Sequence, residues 1–156
     1  MKAARLVGPE KIEYTTTADP TPQPDHVLLK VLYVGVCGSD VHAFHGQNAK
    51  VQPPVILGHE FSGKVMDSYG HRGISEGMLV SVEPTIGCMD CDPCRDKRRN
   101  LCDKLRIVGC QIDGAMAEYV VVPTYTVHPF EGPHNDSDLN ARLAALAEPM
   151  AVGVHS

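Results

Sequence analysis

The chain of 156 residues lacks tryptophan, has only three phenylalanines and contains no long apolar run. A membrane-spanning helix needs a run of about 18 or more apolar residues, so no such helix is predicted. Residues 1–14 lack the continuous apolar core of a signal peptide, and we expect a cytoplasmic protein. A net charge of −5 is unfavourable for general nucleic-acid binding. We therefore expect neither a nucleic acid nor a membrane as partner.

The composition is that of a folded domain, with 43% hydrophobic and 21% charged residues. Glycine and proline are plentiful, at 14 and 12 residues, which favours short strands and turns over long helices. Apolar segments between glycine turns predict strands over residues 3–7, 11–14, 27–34, 53–57, 61–66, 78–83 and 117–122. The sequence thus predicts a mainly β protein with short helices, folded as a closed or partly closed barrel.

The strongest anomaly in the composition is cysteine. Four of the six cysteines fall in a C-x2-C-x2-C-x7-C pattern, namely Cys88, Cys91, Cys94 and Cys102. In a reducing compartment such a cluster is more often a metal site than a set of disulfides. Closely spaced thiols can wrap around one tetrahedral ion, so we predict a structural zinc. An iron–sulfur cluster is the alternative, but the fourth spacing is long and no second cysteine set accompanies it.

The stretch around these cysteines, residues 88–106, is rich in charge. It holds six lysines and arginines against four aspartates. One interpretation is a nucleic-acid patch, and the other is a solvated loop that balances an anionic metal site. We favour the loop, because the stretch has no aromatic residue to stack on a base.

The C-terminal end has a helical pattern. Asp136 is predicted to cap a helix whose leucines at 139, 143 and 146 follow at helical spacing. Pro149 interrupts this run and biases Glu148 away from helical conformation. A second helix over residues 150–155 is therefore expected to begin at Pro149. We divide the chain into a domain of residues 1–135 and a helical connection of residues 136–156.

Three further side chains are candidates for a second metal site. Cys37 follows the predicted buried strand, and His59 and Glu60 follow Gly58. Adjacent side chains on a regular strand point to opposite faces, but a glycine permits a bend that turns both toward one centre. Thiolate, imidazole and carboxylate form a donor set that suits a zinc with room for substrate. Glu148 is a further candidate carboxylate.

The sequence resembles the zinc-dependent medium-chain alcohol dehydrogenases. The resemblance is carried in order by VGVCGSDVHAFHG, PPVILGHEFSGKV, the four-cysteine stretch, GCQIDGAMAEYVVVP and AEPMAVGVHS. The CGSDVH and EPMAVGVHS forms are most similar to the polyol branch, which includes sorbitol and xylitol dehydrogenases. The resemblance implies a GroES-like β-barrel catalytic domain over residues 1–135, with a structural-zinc lobe inserted at residues 88–106.

The resemblance also assigns roles to single residues. It makes Cys37 and His59 ligands of a catalytic zinc, with Glu60 and Glu148 as carboxylates that bind the ion directly, intermittently or through water. It makes Cys88, Cys91, Cys94 and Cys102 the ligands of the structural zinc. Ser39 would contact the substrate oxygen, His42 would relay a proton, and Asp40 would orient the zinc-bound histidine. Cys110 is expected in the core, and Phe44, by proximity, near the substrate.

The implied function is oxidation of a secondary alcohol or polyol to a ketone, with hydride transfer to NAD or NADP. These 156 residues contain no G-x-G-x-x-G motif, so we expect a nucleotide-binding domain to follow and the chain alone to be inactive. A homo-oligomer is also expected. The alternative is a free-standing zinc-binding β-barrel that serves as a metal-binding or interaction module.

Overall fold

The computed structural model describes residues 1–155. The strands are β1 (Lys2–Gly8), β2 (Lys11–Thr16), β3 (His26–Val34), β4 (Val55–Ile56), β5 (Phe61–Asp67), β6 (Leu79–Val82), β7 (Thr85–Ile86), β8 (Arg106–Ile107), β9 (Tyr119–Pro123) and β10 (Val127–Pro129). The α-helices are α1 (Gly38–Phe44), α2 (Asp92–Arg95), α3 (Ser137–Ala145) and α4 (Ala147–His155). Over this described range, no helix has the length and apolar character needed to cross a membrane.

The larger sheet contains five antiparallel strands in the order β10-β6-β5-β3-β9. Its longest strand, β3, pairs with β5 on one side and β9 on the other. Alternate residues of β3 face the interior, and Val27 and Leu29 are fully buried. With Phe61, Val80 and Val122 they belong to the main core cluster. Most side chains of this cluster thus come from the strands of the larger sheet.

A second sheet, of order β2-β1-β4, lies against the segment that leads into β9. The backbone N–H of Ala4 donates to the carbonyl of Met116 at 2.8 Å, and that of Glu118 donates to Lys2 at 3.0 Å. These bonds join β1 to the edge of the larger sheet and produce a partly closed barrel. The predicted mainly β barrel with short helices is therefore confirmed. The strand predicted over residues 53–57 shortens to β4, since two prolines at its start have no N–H to donate.

A smaller core cluster lies beneath α1 and β4. It contains Leu6, Ala43, Val51, Val55, Leu57 and Cys110. Cys110 is 7% exposed, which confirms its predicted place in the core. Phe44 packs partly buried against this cluster. The cluster fixes α1 and the loop after it on the barrel.

The cysteine-rich lobe is an excursion between β7 and β8, which pair only over two residues each. Among residues 88–105, Cys94 and Cys102 are the buried ones. The lobe's charges pair locally, with Arg95 lying 2.8 Å from Asp90 and Arg98 lying 3.0 Å from Asp96. The lobe therefore has almost no apolar core of its own.

The C-terminal helices differ in one respect from the prediction. Asp136 caps α3 as predicted, because its Oδ1 accepts from the N–H groups of Asp138 and Leu139 at 2.9 and 3.2 Å. The prediction that Glu148 leaves the helix was wrong, since α4 already begins at Ala147. Pro149 occupies the first turn of α4, where backbone N–H groups have no partner within the helix, so the missing N–H costs nothing. Helix α3 packs on β3, β5 and β6.

Candidate metal centres

Cys37 lies at the junction between β3 and α1. It occupies the N-cap position of α1, with extended backbone angles. Its N–H donates to Oδ2 of Asp40, the third residue of the helix, at 3.0 Å. Asp40 is 4% exposed, so this bond is shielded from water and holds the Cys37 backbone firmly.

Gly58 makes the bend that the sequence predicted. Its φ of +94° is a conformation that other residues rarely adopt. A Cβ at this position would also lie 2.9 Å from Cγ2 of Val34. The bend therefore depends on glycine, and it turns His59 and Glu60 toward the start of α1.

The bend brings three donor side chains together. The thiol of Cys37, a ring nitrogen of His59 and a carboxylate oxygen of Glu60 lie within 4.8 Å of one another. His59 is 7% exposed, while Cys37 and Glu60 are half-buried. Sulfur, nitrogen and oxygen donors at this separation could hold a divalent zinc ion.

Asp40 also faces the imidazole of His59. Its Oδ1 lies 3.5 Å from Nδ1, which has no closer hydrogen-bond partner among the described residues. The Asp40 carboxylate raises the pKa of His59 to about 9, although burial acts in the opposite direction and the Cys37 thiol adds to the increase. On the other side of the ring, Nε2 lies 3.4 Å from Oγ of Ser39. With Nδ1 turned to a carboxylate, Nε2 is left as the nitrogen that could bind a metal.

Sequence reasoning missed the contribution of Gly35. Its N–H donates to the carbonyl of Glu60 at 2.6 Å, which ties the end of β3 to the donor cluster. A Cβ at Gly35 would lie 2.5 Å from Oε2 of Glu60. The Glu60 carboxylate can therefore occupy its position only because residue 35 has no side chain. The glycine two residues before Cys37 was the available signal.

A cleft of about 570 Å³ opens beside the donor cluster. Ser39, His42 and His59 line it, together with Glu148 from α4. Burial raises the pKa of Glu148, the charge of His59 opposes this rise, and that of Glu60 reinforces it. Glu148 lies outside the three-residue cluster found within residues 1–155, although its charge interacts with that cluster. Phe44 is not among the residues that line the cleft, because its ring packs on the smaller core.

The lobe forms the second donor cluster. The sulfurs of Cys88, Cys91, Cys94 and Cys102 all lie within 4.8 Å of one another. Backbone N–H groups point at two of them, from Cys91 to Cys88 at 3.3 Å and from Cys88 to Cys102 at 3.2 Å. N–H groups that donate to sulfur stabilise thiolates, which are the form of cysteine that binds metal. The four side chains therefore fit a tetrahedral zinc.

The lobe thiols differ in acidity. Backbone N–H groups of Asp90 and Cys91 lower the pKa of Cys88 to about 6. Burial, reinforced by the neighbouring thiols, raises the pKa of Cys94 to about 12. Ionising all four thiols together needs a compensating positive charge, which a divalent ion supplies. The donor set thus favours metal binding over four free thiols.

The fold and its two donor clusters define a class of protein, a barrel domain with two groups of side chains that could hold metal ions. Residues 23–132 match the sequence profile of the family "Alcohol dehydrogenase GroES-like domain". The chain belongs to this family, and the resemblance to zinc-type alcohol and polyol dehydrogenases is confirmed.

Individual relatives extend beyond this domain. The chain is 36% identical to the D-arabitol-phosphate dehydrogenase of Enterococcus avium over 151 residues, which cover 96% of this chain and 42% of that protein. It is 38% identical to the sorbitol dehydrogenase of Halalkalibacterium halodurans over 140 residues, which cover 88% and 39%. The crystal structure of galactitol-1-phosphate dehydrogenase from Escherichia coli matches with a TM-score of 0.88 at 28% identity, covering 99% and 44%. The chain thus spans about two fifths of the length of these relatives.

Proposed function

We propose that this chain provides the zinc-binding catalytic portion of an oxidoreductase that oxidises a secondary alcohol or polyol to a ketone, with NAD or NADP as hydride acceptor. The observation that carries the proposal is the convergence of Cys37, His59 and Glu60 beside an open cleft. A purely structural metal site has four protein ligands and no free position. A three-donor cluster on a cleft has the composition of a catalytic site.

Two zinc ions per chain follow from the two donor clusters. Cys37, His59 and Glu60 would hold the catalytic ion, with Glu148 as an additional carboxylate, and the four lobe cysteines would hold the structural one. When bound in the cleft, zinc supplies a Lewis acid that makes an alcohol easier to deprotonate. Asp40 faces Nδ1 of His59 at 3.5 Å, which leaves Nε2 as the nitrogen that would bind that ion.

The residues around the cluster can remove the proton that alcohol oxidation releases. Ser39 Oγ lies 3.4 Å from His59 Nε2, so its hydroxyl lies beside the donor cluster, within reach of an alcohol bound there. A hydroxyl can accept a proton from the substrate while it donates its own. His42 is exposed and lines the same cleft, and it could carry that proton to solvent.

The hydride acceptor requires sequence outside these 156 residues, which contain no dinucleotide-binding motif. We propose that residues 136–156 connect this domain to a nucleotide-binding domain of the longer protein. Helix α4 fits this role, because Met150, Val152 and Val154 are 64%, 57% and 87% exposed. Apolar side chains that are this exposed indicate a surface that is covered in the complete protein.

The test is cobalt substitution followed by titration with an alcohol. Co²⁺ reports thiolate ligation through its visible absorption, so the all-sulfur lobe and the mixed site in the cleft are distinguishable. We expect two ions per chain, and we expect sorbitol to perturb only the bands of the mixed site. The Cys37→Ser variant should lose both those bands and the response to sorbitol.

The response of the bound metal to an alcohol decides between the two candidate functions. A metal-binding or interaction module without catalytic function would bind ions but show no alcohol-dependent change in the cleft bands. The 156-residue chain with NAD⁺ and sorbitol should form no NADH, whereas the same residues within the complete protein should. Turnover by the chain alone would contradict the proposed need for a nucleotide-binding domain.

A further inference from the structure

Lys50 places an unpaired positive charge on the wall of the cleft. Lys50 lines the cleft together with Ser39 and His59, and its side chain is exposed. No carboxylate lies within ion-pair distance of its ammonium group anywhere in the described part of the chain. Asp113, which lines a neighbouring cavity with Lys50, pairs instead with Arg5 at 3.5 Å and accepts from the Ile56 N–H at 2.8 Å. The ammonium group is therefore available to a ligand.

The backbone that carries Lys50 is held at three points. Gln111 donates from Nε2 to the Lys50 carbonyl at 3.0 Å, and its Oε1 accepts from the Ile107 N–H at 2.8 Å. Asn48 accepts from the Lys50 N–H through its side chain at 3.1 Å. The next residue, Val51, is 8% exposed and lies in the smaller core. The Lys50 side chain thus extends from an ordered loop.

Lys50 lies at the end of the cleft away from the donor cluster. Lys50, Cys110 and Gln111 line both this cleft and an adjoining cavity of about 520 Å³, whereas Ser39 and His59 do not line that cavity. The donor-cluster end carries the carboxylates of Glu60 and Glu148. The cleft is therefore polarised, with its acidic residues at the metal end and an amine at the other.

A polyol that extends along this cleft meets different chemistry at its two ends. The metal end favours a neutral hydroxyl, because the Cys37 thiolate and the carboxylates of Glu60 and Glu148 together carry one more negative charge than a bound Zn²⁺ ion neutralises. The Lys50 end offers a charged donor, and the amides of Gln47 and Asn48 also line the cleft. Amides match the hydroxyl groups of a sugar alcohol, and an ammonium group matches an anionic oxygen.

We propose that Lys50 binds an anionic group, a phosphate ester or a carboxylate, at the far end of a polyol whose reacting hydroxyl lies beside Ser39 and His59. The inference rests on the proposed function, which it deepens by specifying the substrate class. Lys50 then determines specificity and takes no part in the chemical step.

The test measures binding to the zinc-loaded chain by calorimetry with three probes: sorbitol, sorbitol 6-phosphate and gluconate. We expect an anionic probe to bind about threefold to tenfold more tightly than sorbitol, the range of one partly exposed charge-assisted contact. The Lys50→Met variant should reduce this ratio to about one, and Lys50→Arg should retain it. Lys64→Met is the matched control, since Lys64 lines a different cavity and its loss should leave the ratio unchanged.

The outcomes separate this inference from the proposed function. A preference for sorbitol 6-phosphate alone supports a phosphate ester, and a preference for gluconate alone supports a carboxylate. Equal affinity for all three probes, or a preference that survives Lys50→Met, overturns the role of Lys50 and leaves the proposed function standing. If none of the probes binds the zinc-loaded chain, both the role of Lys50 and the proposed function are overturned. Inorganic phosphate that binds as tightly as sorbitol 6-phosphate also overturns the inference, because the polyol would then contribute nothing.

Discussion

The two donor clusters are built in opposite ways. The lobe takes all its donors from residues 88–102, and only two of the lobe cysteines are buried. The cleft takes its donors from two separate segments, around Cys37 and His59, which a five-stranded sheet and a capped helix hold in position. Local donors with little packing depend on the metal for their structure. Distant donors on a packed framework do not depend on the metal in this way. We therefore infer that the fold positions the donors of the cleft before zinc binds.

The largest expected effect is a difference between two cysteine variants. Cys88→Ser should remove the lobe zinc and lower the free energy of unfolding by about 3 kcal/mol or more, because the lobe has no apolar core to replace the ion. Cys37→Ser should remove the cleft zinc and change the free energy of unfolding by less than about 1 kcal/mol. Urea unfolding with zinc analysis of both variants measures this difference.

The control is a cysteine that belongs to neither cluster. Cys110→Ala removes a buried thiol from the smaller core, so it should cost some stability while both zinc ions remain. Should Cys88→Ser and Cys37→Ser instead remove the same single ion, the assignment of two separate sites is wrong.

The lobe cluster was easier to predict from the sequence than the cleft cluster, because the lobe takes its donors from one short segment. The lobe could be predicted from spacing alone, because ligands that follow one another closely need no tertiary structure to meet. The cleft required a bend at Gly58 to be assumed, since His59 and Glu60 would otherwise diverge. That bend could be predicted from the glycine, but its consequence could not. Which side chains His59 and Glu60 meet after the bend depends on the sheet pairing of β3 with β5.

Contacts between distant segments escaped prediction. The close approach of Gly35 to Glu60 and the bonds of Gln111 to the Lys50 loop join residues more than 20 positions apart. The predicted start of α4 at Pro149 was wrong by two residues, because proline is accepted in a first turn as readily as it is excluded from a helix interior. In each case the deciding information is three-dimensional.

The next largest effect tests whether the fold itself holds the donors of the cleft in position. Gly58→Ala adds a strained positive φ and a 2.9 Å contact with Val34, so we expect a loss of about 2–4 kcal/mol. Cleft zinc should be lost while lobe zinc is retained. Thermal unfolding and site-resolved cobalt spectra measure both. Gly70→Ala is the control, because Gly70 also has a positive φ, of +74°, but open space around its Cα, and it should cost only about 1 kcal/mol.

A smaller effect is expected from Asp40→Asn. The amide oxygen can still accept from the Cys37 N–H, so the cost in stability should stay near 1 kcal/mol. The negative charge that faces His59 Nδ1 is lost, and the affinity of the cleft for zinc should fall about 10-fold to 100-fold. Competition with a chelator, followed at each cobalt site, gives the two affinities. Equal losses at the lobe and the cleft would contradict a positioning role for Asp40.

The smallest effect concerns α3, which attaches to the barrel through Asp138. Its carboxylate accepts from the Tyr33 hydroxyl and lies 2.9 Å from Nε of Arg142. The Tyr33 hydroxyl, and then Arg142, lower the pKa of Asp138. Because the folded pKa is the lower one, the stabilisation is complete above the ordinary value of about 3.9 and is lost as the pH falls through the folded pKa. Asp138→Asn should thus be slightly less stable than the parent at neutral pH, and the difference should disappear in acid.

The Asp138→Asn variant also tests whether Glu148 is a ligand of the zinc in the cleft. Glu148 reaches the cleft on α4, which follows directly from α3, whereas Cys37, His59 and Glu60 are held by the barrel. Loosening α3 should therefore disturb Glu148 and leave the three-residue cluster intact. If the cleft of Asp138→Asn binds zinc as tightly as the parent, the three barrel residues suffice for the resting ion. A weakened cleft with an unchanged lobe would instead place Glu148 among the ligands, since no other cleft carboxylate depends on α3.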